Sequence, residues 1–175
     1  SGGGAGGGRD GEPAAGYQLV RSPRRRTREL ALQALYPGLL SGTLSSEAIS
    51  QAAELKGYEE ADGAFLGAML KGITESADSL RSVIEPHAGR KWQDISPVEK
   101  AVLLIGAWEL TNAMEVPYRV AINEALELAK RFGGTEGHRF VNGILDRVAA
   151  AVRPEEVAAA PARASRARPA PEVEA

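Results

Sequence analysis

Apolar residues recur at three- and four-residue spacing along almost the whole middle of the chain, the period of a helix with one buried face. Leu32, Leu35, Tyr36 and Leu39 mark that face on a first helix. Ser45 or Ser46 can cap a short second helix that runs through Leu55 and ends at Gly57. Asp62 is placed to cap a third, with Phe65, Met69 and Ile73 on its inner side. Ala77 to about Ile84 reads as a fourth, stopped by Pro86. Ser96, Pro97 and Glu99 then form a capping box with proline at the first helical position, where its missing N–H does no harm. The following run, Ala101–Trp108, is apolar on all sides, which predicts a central, buried helix. Pro117 opens the next, with Ala121, Ala125, Leu128 and Phe132 inward, and Gly133-Gly134 is expected to end it in a left-handed cap. Thr135 can cap the last, whose inner stripe is Phe140, Ile144, Val148 and Val152. Asn123 and Asn142 interrupt good helix formers, and buried hydrogen bonds are the expected reason. No stretch sustains period-two alternation. The expectation is a compact all-α fold of about seven helices.

Both ends break the pattern. Residues 1–20 are mostly glycine, and residues 153–175 alternate Ala, Pro, Arg and Glu, with Pro154, Pro161, Pro169 and Pro171 forbidding a continuous helix. Each reads as a disordered tail, leaving 21–152 as the folded domain. With 43% hydrophobic but only 5% aromatic residues, the core must be built from Leu, Val, Ile and Ala. The absence of cysteine excludes disulfides, thiolate metal sites and a cysteine nucleophile, and fits a reducing compartment. No apolar run nears the roughly 20 residues of a membrane helix, and the glycine-rich start lacks a signal-peptide core. A cytoplasmic location is therefore expected. The net charge of −2 gives no overall pull toward nucleic acid, so any such affinity depends on where the charges sit.

They sit together at one place. Arg24-Arg25-Arg26 is followed by Arg28 and preceded by Arg21, with only Glu29 in opposition. On a helix Arg24 and Arg28 share a face and Arg25 lies beside Arg28. Guanidinium forks suit phosphate oxygens and stack on bases. Cations at a helix start also oppose the helix dipole, a local cost that a binding role would explain and a solvated basic turn would not. Catalytic groupings are poor. His87 and His138 are far apart among ordinary surface residues, no glycine-rich loop follows a strand, and Glu124, Glu127, Lys130 and Arg131 read as a charge-laced helix face. The chain is not expected to be an enzyme, and no cofactor or metal is implied.

Two longer segments carry a family resemblance. Arg24-Arg25-Arg26-Thr27-Arg28-Glu29, continuing through Tyr36, resembles the arginine-rich opening of NusB proteins. Val116-Pro117-Tyr118-Arg119-Val120-Ala121-Ile122-Asn123-Glu124-Ala125, then Glu127–Lys130, Phe132-Gly133 and Arg139–Asp146, is similar to the same family's C-terminal signature. Val98–Leu103 matches between them, so the resemblance spans Arg24 to about Pro154. It implies two packed helical halves and a transcription antitermination factor. Such a factor binds the boxA element of nascent ribosomal RNA with the ribosomal small-subunit protein NusE, helping RNA polymerase pass terminators. By resemblance, Arg24, Arg25, Arg26, Arg28, His87, Glu136 and Phe140 would contact RNA, and Tyr36 and Glu99 the NusE side. Some family members dimerise, which leaves a homodimer open. Core packing competes for Phe140 and Tyr36, since each lies on an inner stripe. The chain departs from the pattern at Pro37-Gly38, which should kink or end the first helix, and at His87, where an aromatic is common.

Two other readings stay beside this one. The helices could form a protein-interaction module whose arginines are merely solvated. They could also be the helical part of an RNA-modifying enzyme, but no nucleotide-binding βαβ unit is present in this sequence.

Overall fold

The computed structural model describes residues 22–133 and 136–160. Among them are eight α-helices, three short 3-10 turns and no strand. The predicted tails lie outside the described residues except for 153–160, and so does Thr135, the expected cap of the last helix. In chain order the helices are α1 (Pro23–Ser41), α2 (Glu47–Ala52), α3 (Gly63–Glu75), α4 (Ala77–Ile84), α5 (Pro97–Asn112), α6 (Tyr118–Phe132), α7 (Gly137–Val152) and α8 (Pro154–Ala158). The 3-10 turns are Tyr58–Glu60, Glu85–His87 and Trp92–Asp94. No helix among the described residues is long and apolar enough to cross a membrane.

The local signals act as their chemistry dictates. Ser22 caps α1, its Oγ accepting from the Arg25 N–H at 3.1 Å, and Pro23 follows as the first helical residue. Asp62 caps α3 by accepting from the Phe65 N–H at 3.0 Å. Ser96 caps α5 through the Glu99 N–H at 3.2 Å. The return half of that box differs from expectation: the Glu99 carboxylate accepts from the Ser96 hydroxyl at 3.0 Å. α2 is shorter than predicted, with Ser45 Oγ accepting from the Glu47 N–H at 3.3 Å.

Every residue from Ala101 to Leu110 is buried, so α5 is the axis of the molecule. α6 and α7 pack on it and on each other, while α1, α3 and α4 cover its other sides. α1–α4 and α5–α7 thus form two halves that share one apolar core. Gly106 lets α7 approach closely, since a Cβ there would stand 2.7 Å from Leu145 Cδ1.

Four expectations are corrected. Pro37 does not end α1, which runs on to Ser41 and closes at Gly42 in the left-handed conformation (φ 90°). Proline removes one backbone bond, but Leu35 and Leu39 are buried on either side of it and hold both halves of the helix to the core. Gly133 ends α6 at φ −105°, an ordinary right-handed value, so it is not itself the left-handed residue, and Gly134, the other half of the expected cap, lies outside the described residues. Asn123 and Asn142 are exposed, so no buried hydrogen bond accounts for either. Arg153, assigned to a tail, is buried, and α8 follows it.

Candidate nucleic-acid interface

The first turn of α1 brings Arg24, Arg25 and Arg26 to one end of the helix, and none stands alone. Arg24 donates from Nε to Asp62 Oδ2 at 3.2 Å, and its guanidinium carbon lies 3.6 Å from the centre of the Phe65 ring. Arg25 is held in a two-pronged bond to Glu124 on α6, Nε to Oε1 at 3.0 Å and Nη2 to Oε2 at 2.7 Å. Arg26 reaches Glu29 with Nη1 at 3.3 Å and Glu60 with Nη2 at 3.2 Å. These acids explain how a helix can begin with three cations: each positive group is compensated locally, which offsets its clash with the helix dipole. The same contacts shift titration. The Arg25 hydrogen bond holds the Glu124 carboxyl below its usual range, and the pKa of Arg25 is raised in return. Asp62 is lowered first by the Phe65 N–H and then by Arg24.

Arg28 parts company with the cluster. One position beyond Thr27, it faces inward and is 3% exposed. Its Nε and Nη2 bind Glu109 Oε2 and Oε1 on α5 at 2.6 and 2.7 Å, with Glu124 Oε1 3.6 Å from its Nη1. The expectation that Arg28 joins the surface is corrected: the helix face that Arg24 and Arg28 share turns into the core between one residue and the other.

A second group gathers where the segment 85–90 crosses α7. His87 is partly buried, and its carbonyl accepts from Arg147 Nη1 at 3.3 Å. Phe140 packs partly on the core, with the Arg90 guanidinium 3.9 Å above its ring. Of the two roles weighed for Phe140, core packing is the one served, in part, and the guanidinium on its ring belongs to this chain's own Arg90. Glu136 is exposed just before α7. Glu99 lies against the start of the same helix, its Oε2 only 3.1 Å from where a Gly137 Cβ would be. Tyr36, by contrast, is exposed on the C-terminal half of α1.

Three participants escaped the sequence reading. Arg131 on α6 binds Glu29 Oε2 at 3.2 Å, which extends the cationic surface from α1 across to the end of α6. Its spacing suggested a partner within its own helix. Of that charge-laced face only Glu127 and Lys130 pair with each other, at 3.6 Å, while Glu124 and Arg131 reach across to α1. Arg90 carried no signal, because a stacking contact between distant segments has no period. Arg153 was hidden by the prolines around it.

Comparisons with known proteins agree with this architecture. A family described as NusB family matches residues 25–150. A transcription antitermination protein NusB from Paraburkholderia xenovorans (strain LB400) is 47% identical over 141 residues, covering 81% of this chain and 98% of that protein. One from Dechloromonas aromatica (strain RCB) is 45% identical over 139 residues, covering 79% and 85%. A solved structure of T. maritima NusB superposes with a TM-score of 0.67 at 30% identity, over 78% of this chain and 97% of that one.

Proposed function

This chain belongs to the NusB family, and we propose that it is a transcription antitermination factor that binds boxA RNA of nascent ribosomal RNA together with NusE. The observation that carries the reading is the length of the match: 98% of a relative named as a transcription antitermination protein aligns at 47% identity. The arginine cluster at the start of α1 supports it physically, as a compact set of phosphate-binding forks on a rigid element.

In this reading the action is passive. Arg24, Arg25 and Arg26 engage phosphates, while His87, Glu136 and Phe140 line a second part of the RNA surface, where Arg90 already covers the Phe140 ring. A base stacking there meets a guanidinium plane, which is itself a stacking surface. Arg28 is assigned no RNA contact, because its fork is spent on Glu109. Tyr36 and Glu99 face NusE, and the pair is delivered to the RNA polymerase antitermination complex in the cytoplasm. No reaction is catalysed.

The test is binding of a boxA RNA and a scrambled RNA, with and without purified NusE, over a salt series. Selective strengthening of boxA binding by NusE is the expected result. Replacing Arg24, Arg25 and Arg26 by Ala should weaken binding and flatten the salt dependence by about 0.7 per lost phosphate contact. Absence of RNA binding under every condition would leave the protein-interaction reading in place.

A further inference from the structure

The arginines that mark the proposed RNA surface are each met by a carboxylate from a different part of the fold. Asp62 caps α3, Glu60 sits in a 3-10 turn, and Glu124 belongs to α6. Two of these partners lie 38 and 99 residues from their arginines, so the pairing is a property of the tertiary structure alone. We propose that these carboxylates, Glu124 foremost, determine RNA specificity by cancelling the arginines' attraction for phosphate chains in general while leaving Arg25 oriented for one particular phosphate. The proposal rests on the RNA-binding reading above.

The geometry at Glu124 separates the two effects. Glu124 grips Arg25 along one edge, through Nε and Nη2. A guanidinium has five N–H donors, so the Nη1–Nη2 end of the fork remains, and no described residue takes it. The Glu124 side chain is 16% exposed and cannot follow Arg25 outward. A matched RNA that brings a phosphate to the free end is bound with Glu124 still in place and Arg25 already aimed. An unmatched RNA has no phosphate at that spot. It is attracted mainly through net charge and counterion release, and there it meets a neutral pair. Arg24 with Asp62, and Arg26 with Glu29 and Glu60, carry the same cancellation along the helix start. Net charge is removed, and the placed donors stay.

The experiment compares Glu124→Gln and Glu60→Gln with the parent protein on boxA and scrambled RNAs of equal length over a salt series. Glutamine keeps a hydrogen-bond acceptor and removes the charge. Glu60 is exposed on a short turn, so its replacement does not endanger the fold. Expected are several-fold tighter binding of scrambled RNA, a salt slope on that RNA steeper by about 0.7 for each released arginine, and a smaller boxA-to-scrambled ratio. A residue that merely props up the helix would not steepen the slope. If both variants leave the ratio and slope unchanged, or weaken both RNAs equally, the proposal is overturned while the parent's boxA preference keeps the RNA-binding reading intact. If the parent itself shows no preference, the RNA-binding reading falls and this proposal falls with it.

Discussion

Arg28 on α1 and Glu109 on α5 face each other in a two-pronged ion pair, 2.6 and 2.7 Å long, with both side chains almost wholly buried. The pair joins the helix that carries the arginine cluster to the axis of the molecule. Its strength lies in being complete, because desolvating two charges costs nearly what their attraction returns. Arg28→Ala strands Glu109 and should destabilise the protein by about 3–5 kcal/mol, whereas the double replacement Arg28→Met with Glu109→Leu should lose far less or nothing. Urea denaturation of the three proteins decides this. A double variant as unstable as the single one would mean that the pair contributes beyond charge balance.

Arg153 has a comparable role at the same, C-terminal end of α5. It is 4% exposed and donates to the carbonyls of Glu109, Leu110, Ala113 and Val116, and to the Glu156 carboxylate. One side chain thereby supplies the donor for the Leu110 and Val116 carbonyls, adds a second donor at Glu109 and Ala113, whose carbonyls already accept from the Ala113 and Val116 N–H groups, and places a cation at the negative end of the dipole. Arg153→Ala should cost about 3 kcal/mol or more, since the Leu110 and Val116 carbonyls lose their donor and those of Glu109 and Ala113 lose one of two. Arg153→Lys should recover little of this, having three donors on one atom in place of a planar fork. Thermal unfolding of both variants is the measurement, and full recovery by Lys would show that charge alone matters.

Acid should loosen the start of α1. Asp62 and Glu124 have their carboxyls held below the ordinary range by hydrogen bonds and by Arg24 and Arg25. The unfolded chain therefore takes up those protons first. The stabilisation is fully present above the unfolded carboxylate pKa and is lost as pH falls through the folded one. A variant with Asp62→Asn and Glu124→Gln should be less stable than its parent at neutral pH and converge on it in strong acid. Melting temperatures across that range would reveal a constant offset if the pairs carried no such linkage.

Two glycines in helices should respond to alanine with opposite signs. At Gly67 on α3 an added Cβ meets nothing within 4 Å, so Gly67→Ala should stabilise by up to about 1 kcal/mol through helix propensity. At Gly106 the Cβ would press on buried Leu145 at 2.7 Å and come within 3.4 Å of Ala125. Overpacking of about 1–3 kcal/mol should outweigh the same propensity gain. Equal shifts in chemical denaturation would show that α7 yields freely to α5.

The amino-acid sequence by itself determined the helices, because their signals are local. A three- and four-residue apolar period, the caps at Asp62 and Ser96, and the all-apolar run of α5 act within a turn or two of the residues that carry them. It also determined where the arginines cluster. Only the tertiary structure decided what each arginine does. Arg25 is tethered to α6, Arg28 is locked under the surface, and Arg153 closes a helix far from it in the chain. Pro37 shows the same division: a local rule predicts a break, and buried neighbours on both sides overrule it. The physical reason is range. Propensity and capping depend on neighbours in the chain, whereas the state of a charge depends on which opposite charge folding carries to it and on how much water is left between them.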